Sequence, residues 1–168
     1  MTRSQFAAGW FGGGNQHRFE AMAKGSSTPM GILASVASEP VGWCACGPRS
    51  RYTVAASGRS KILSSRERAE DESVWLLPCL FVRTEQRGQG VTYALVRAAI
   101  ELARREGGFA IEGWPLARSN RRSDDAFVGR EKVFEDLGFS CVERPSPQRV
   151  IMRLELREDR NRDHTLTR

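Results

Sequence analysis

The sequence predicts an α/β fold, a mixed sheet with helices on its faces. Three observations predict it. Val74 to Val82 is apolar or aromatic nearly throughout, the pattern of a buried strand. Val91 to Glu106 places Val91, Ala94, Leu95, Ala98, Ala99 and Leu102 at i, i+3, i+4, i+7, i+8 and i+11, the stripe of an amphipathic helix. Strand-like and helix-like segments then alternate along the chain.

Met1 to Gly14 is glycine-rich and weakly patterned. Asn15 to Lys24 carries Phe19, Met22 and Ala23 at helical spacing, which predicts a short helix. Gly25 to Pro29 reads as a loop. Gly31 to Ala37 and Val41 to Cys46 are apolar runs flanking Ser38-Glu39-Pro40, the signature of a hairpin. From Gly47 to Asp71 the pattern fails, and Pro48, Gly58, serines and alternating charges argue for a long connection. Pro78 interrupts the Val74 to Val82 run. It has no N–H for a ladder, so that strand should bulge or part from one neighbour there. The main helix stops at Gly107-Gly108, and Phe109 to Trp114 is a short buried strand. Arg118 to Asp125 is a polar loop offering Ser123 or Asp124 as an N-cap. Phe127 to Leu137 is predicted as one helix closed by Gly138. Phe139 to Glu143 and Val150 to Leu156 are the last strands, joined through Pro145 and Pro147. Residues 1–157 are read as one domain, and the charged tail from Glu158 to Arg168 as disordered.

Composition narrows the function classes. No apolar run suffices to cross a bilayer, and the first residues lack a secretory pattern, so a soluble cytoplasmic protein is expected. Cys44, Cys46, Cys79 and Cys141 do not form a disulfide framework. Only His17 and His164 could supplement them as ligands, so no metal is expected. The formal charge is +6, carried almost entirely by arginine, which suits an anionic partner or an ordinary solvated surface. Nucleic acid is an open partner, but no recognised motif supports it.

Chemistry concentrates at Arg83-Thr84-Glu85-Gln86-Arg87-Gly88-Gln89-Gly90, between the strand ending at Val82 and the helix starting at Val91. Gly88 and Gly90 let the backbone curl and a ligand approach closely. The first N–H groups of a helix lack internal partners, and its dipole adds positive character. Together they suit a phosphate or pyrophosphate, with Arg83 and Arg87 alongside. The same string also suits an ordinary strand-to-helix turn. A P-loop is excluded because its lysine-serine or lysine-threonine ending is missing. A dinucleotide fingerprint is excluded because Tyr93 stands where its third glycine belongs.

Two motifs in this order resemble the GNAT acyltransferase superfamily. Its acyl-CoA signature reads here Arg87-Gly88-Gln89-Gly90-Val91-Thr92, and its aromatic-x-x-x-Gly-Phe element reads Phe134 to Phe139. Glu39-Pro40-Val41-Gly42-Trp43-Cys44, Pro48-Arg49, Tyr52, Glu112-Gly113-Trp114-Pro115 and Val150-Ile151-Met152-Arg153 are similar to a bacterial subgroup of that family. The resemblance implies a mostly antiparallel sheet of six to seven strands, splayed at its centre. It implies acetyl-CoA as co-substrate, held by backbone amides from Arg87 through Gly88, Gln89, Gly90, Val91 and Thr92. Leu80 and Val82 would pair with the pantetheine arm, and Arg83, Arg87 or Lys132 would meet the adenosine phosphate. Thr92 departs from the Gly/Ala of the signature. Phe134 stands where many members carry a proton-donating tyrosine, and a phenyl ring cannot donate.

Acetyl transfer to a primary amine by direct attack needs a route for the amine proton, a donor to the carbonyl oxygen and a proton for the departing thiolate. A backbone N–H near Cys79 to Phe81 would face the carbonyl oxygen. Glu112, inside an apolar strand, is the candidate base, or else a carboxylate serving an arginine such as Arg118. Cys79 and Tyr93 are the acid candidates. Cys79 also suits a core thiol, and Tyr93 an outward surface position. Trp75, Trp114, Arg49 and Tyr52 are candidates for the acceptor side. The competing reading is a non-catalytic acyl-CoA sensor, favoured by Phe134. The acceptor itself is not readable, and a homodimer stays open.

Overall fold

The computed structural model describes residues 14–52, 72–117 and 126–156. The glycine-rich start, most of the long connection, the Arg118 to Asp125 loop with Ser123 and Asp124, and the charged tail lie outside them. The described elements are α1 (Gly14–Gly25), β1 (Gly31–Val36), β2 (Glu39–Pro48), a 3-10 turn at Arg49–Tyr52, β3 (Val74–Val82), α2 (Val91–Arg105), β4 (Ala110–Gly113), α3 (Glu131–Asp136), β5 (Ser140–Ser146) and β6 (Arg149–Glu155). They form one six-stranded sheet in the order β1-β2-β3-β4-β6-β5. Every pairing is antiparallel except β3 with β4.

The β1–β2 hairpin differs by one step from the sequence expectation. The turn is Ala37-Ser38, both at positive φ (48° and 70°), while Glu39 and Pro40 already pair with β1. Two successive positive φ values are what a tight two-residue hairpin needs, and Gly or Asn normally supplies them. Holding L-residues there costs roughly 1–2 kcal/mol each. Ser38→Gly is therefore expected to raise stability by about 1 kcal/mol, read as a higher thermal midpoint.

α2 lies on one face of the sheet through Leu95, Val96, Ala99 and Ala103, all essentially buried. A Cβ on Gly42 would sit 3.1 Å from both Leu95 and Val91, so glycine allows this close approach. The helix ends as its glycines predict: Gly107 at φ 80° donates to Arg104, and Gly108 donates to Ala103. Trp75 fills the core below that turn, 1% exposed, and is a packing residue rather than an acceptor wall. α1 lies across the opposite face, where Phe19 meets Trp43 edge-on at 6.1 Å between centroids.

The predicted Phe127 to Leu137 helix is instead a 3-10 turn at Ala126–Val128 followed by α3. Gly129 breaks it at φ 80°, where a Cβ would come 2.9 Å from both Leu80 and Phe134. Tertiary contact overrides the helical pattern there: Leu116 donates to the Gly129 carbonyl, and the Glu131 N–H donates back to Leu116. Phe134 is fully buried, packed edge-on against Phe139 at 5.0 Å.

Candidate active site

β3 is paired on both sides only along its first half. Val74 to Leu77 match Ala110 to Gly113 of β4, and β4 then ends. Pro78 marks the change, as the sequence predicts. Opposite it, the β2–β3 register slips between Ala45 and Gly47. Side-chain alternation slips with it: Leu77 and Leu80 both enter the α2-side core although three residues apart. From Pro78 to Val82 no strand pairs with β3 on the β4 side, and the Ala126–Val128 turn with Gly129 packs beside Leu80 instead.

Which backbone groups face that opening follows from register. The Arg83 N–H donates to the Val41 carbonyl at 2.9 Å. Antiparallel ladders alternate, so Phe81 and Cys79 also bond toward β2. Leu80 and Val82 therefore turn their N–H and C=O groups to the open side. The Val82 carbonyl accepts a bond from Nε of Arg87 at 3.2 Å. The donors expected near Cys79 to Phe81 thus reduce to the Leu80 amide.

The opening leads to the start of α2. Gly90 is its N-cap at φ 81° and ψ 0°, with no side-chain cap. The first intrahelical bond is from the Ala94 N–H to the Gly90 carbonyl at 3.1 Å. The N–H groups of Val91, Thr92 and Tyr93 thus lack intrahelical acceptors. A Cβ on Gly88 or Gly90 would meet nothing within 4 Å, so the space beside each of these glycines is open. Of the amides expected from Arg87 to Thr92, that of Arg87 is already committed to the Thr84 carbonyl at 3.2 Å.

On the α1 face, Cys79 is half-buried on the open half of β3. Glu112 lies lower on the same face, in register with Leu76, and is wholly buried. Both its oxygens are taken: Arg49 Nη2 donates to one at 2.8 Å and Arg153 Nη1 to the other at 3.1 Å. Its surroundings are thus ionic as well as apolar. Arg153 also donates to Glu155 at 2.6 Å. Sequence reasoning missed both arginine partners. The one available signal was Arg153 itself, a charge inside the apolar run Val150-Ile151-Met152. Arg51 clasps the α1–β1 loop through Ser26, Thr28 and the Pro29 carbonyl. Among the described residues the buried indole N–H of Trp114 has no partner, and the buried Tyr52 hydroxyl has only Arg51 beside it.

Residues 3–139 match the model of the Acetyltransferase (GNAT) family. The chain belongs to that family. No curated protein matches it. Solved structures with the same fold include a ribosomal-protein-alanine N-acetyltransferase from Brucella melitensis, with TM-score 0.57 and 16% identity, covering 84% of this chain and 77% of that one. Another is yncA of Salmonella typhimurium, solved with its cofactor acetyl-CoA, with TM-score 0.58 and 16% identity over 89% and 77%. An N-acetyltransferase from Staphylococcus aureus Mu50 aligns with TM-score 0.56 and 14% identity over 86% and 77%.

In this GNAT chain the proposed acids do not converge. Tyr93 sits on α2, on the face away from Cys79, and its hydroxyl donates to Asp136 at 2.6 Å. Asp136 raises its pKa, chiefly through that bond, and also binds Lys132 at 2.8 Å. Phe134 occupies the family tyrosine position as a core ring against Gly113. No helix among the described residues is long and apolar enough to cross a membrane.

Burial pushes the Cys79 thiol and the Tyr52 hydroxyl upward in pKa. Cys44 is pushed up too, first by its bond with Cys46 and next by burial, while the same bond pulls Cys46 down. A raised folded-state pKa stabilises fully below the unfolded value and is lost as pH rises through the folded one. Unfolded thiols titrate near about 8.5 and tyrosine near about 10. The contribution of Cys79 and Tyr52 should therefore be level to about pH 8 and decline above about 8.5, opposed by that of Cys46, with Cys79→Ala removing part of the first decline. Denaturant titration across that range measures it.

Proposed function

We propose that this GNAT chain transfers the acetyl group of acetyl-CoA to a primary amine by direct attack. The observation that carries this is the open half of β3, whose Leu80 and Val82 backbone groups lead into the uncapped start of α2. Amides from Gly88 to Thr92 suit the pyrophosphate. Leu80 and Val82 suit the amides of the pantetheine arm as an added strand would. Arg87 stands between the two regions, its guanidinium within reach of either. Thr92 adds a hydroxyl beside the cradle.

In the transfer, an amine nitrogen forms a bond to the thioester carbon as the carbon–sulfur bond breaks. The amine proton passes to water, and the thiolate takes a proton from Cys79 or solvent. Its place on the unpaired half of β3 supports Cys79 as the acid, while burial, by raising the thiol pKa, makes it a weaker donor than a free thiol. Glu112, with both oxygens on guanidinium groups, supports the reading of a positioning residue. Tyr93, engaged by Asp136, is read as a surface tie. Four free thiols support a reducing, cytoplasmic setting.

The test combines binding and turnover. Acetyl-CoA should raise the melting temperature saturably, and free thiol should appear once an acceptor amine is added. Cys79→Ala is expected to lower kcat by about tenfold or more, with Cys79→Ser retaining most of it. The second reading, an acyl-CoA sensor, is favoured by the commitment of Glu112 and by Phe134. Saturable binding with no thiol release across a broad amine panel would establish that reading. Absence of any response to millimolar acetyl-CoA would remove both.

A further inference from the structure

The α1 face beside the opening carries an unbroken apolar row. Leu33 of β1 pairs with Trp43 of β2, and Trp43 pairs with Phe81 of β3. All three point away from α2, because Gly42 next to Trp43 points toward it. Leu33 is 58% exposed and Phe81 51%, while Trp43 is half-buried under the edge of Phe19. Phe81 lies between Leu80 and Val82, the residues whose backbone faces the open side. The row thus runs from the sheet edge to the lip of the opening.

The described charged groups at the foot of the opening are paired. Arg49, Arg153, Glu112 and Glu155 bond among themselves at the foot of the opening. The amide cradle at α2 lies on the opposite face. A donor anchored there reaches the gap from the α2 side, so the acceptor comes from the α1 side, across Phe81.

Resting on the acyltransferase reading, we infer that the acceptor is a primary amine carried beside a large apolar or aromatic group, which lies on the Phe81–Trp43–Leu33 row. Burying such a group against a ring platform discriminates strongly against amines that lack it. Unpaired carboxylates would instead favour polycationic acceptors, and the carboxylates at the foot of the opening are taken. The continuity of the row with the opening argues for this occupant over a second copy of the chain.

The test uses the full chain with acetyl-CoA and phenylalaninamide, leucinamide, glycinamide or spermidine as acceptors. Phenylalaninamide is expected to give kcat/KM at least about tenfold above glycinamide and spermidine. Phe81→Ser should collapse that ratio toward one through KM, while the acetyl-CoA melting shift persists. Phe109→Ser, an exposed ring outside the row, should keep the ratio. A normal melting shift with glycinamide or spermidine preferred overturns this inference alone, whereas a normal shift with no turnover on any acceptor overturns it together with the acyltransferase reading, in favour of the sensor. A dimer in sedimentation that Phe81→Ser dissolves also overturns it, because a second copy then covers the row. Loss of the melting shift in the unsubstituted chain overturns the acyltransferase reading itself.

Discussion

Glu112→Gln is expected to lower unfolding free energy by about 3–5 kcal/mol, the cost of breaking a buried ion pair from one side. Arg49 is 1% exposed and Arg153 8%, so neither guanidinium can recover its lost partner from water. Glutamine keeps the shape and one hydrogen bond but not the charge. The thermal midpoint should fall by about 10 °C. Replacing Glu112, Arg49 and Arg153 together with apolar residues of similar volume should restore most of the loss, since no uncompensated charge then remains. The same variants separate support from catalysis. If Glu112→Gln loses turnover at 10 °C but keeps its acetyl-CoA melting shift and full stability, the carboxylate is acting as a base after all.

Gly90→Val is expected to weaken acetyl-CoA binding by about a hundredfold or more while costing only about 1–2 kcal/mol of stability. The new Cβ would meet nothing within 4 Å, so the effect does not come from a clash at that atom. It comes from φ of 81°, which a β-branched residue avoids. Relaxing that angle reorients the amides at the start of α2 and brings two methyl groups beside them. Calorimetric titration with coenzyme A reads the loss directly. Unchanged affinity would mean that the diphosphate is held elsewhere.

How much of this was legible in the sequence depends on how local each cause is. Val74 to Val82 reads correctly to the residue because continuous apolar character and a following turn define it. Pro78 announces the parting of the strands because a missing N–H is a covalent fact. The tight turn at Gly88 and Gly90, both at positive φ, is equally local, except that the 3-10 turn consuming the Arg87 amide leaves no clear mark. The Ala37-Ser38 turn escapes because neither residue type signals positive φ. The break at Gly129 escapes because its causes, Leu80 and Phe134, come from other elements. The Glu112 partners escape most completely. They lie 63 and 41 residues away in sequence, and only the folded sheet brings them together.

The single parallel ladder has a mechanical meaning. It divides the sheet into two three-stranded leaves, β1–β3 and β4–β6, stitched by a seam only four register pairs long. Each face of that seam carries a fastener. Arg49 to Glu112 crosses it in the buried interior on one side, and Tyr93 to Asp136 crosses it at the surface on the other. The two leaves are thereby tied at two depths beyond the strand ladder itself, one bond buried and one exposed.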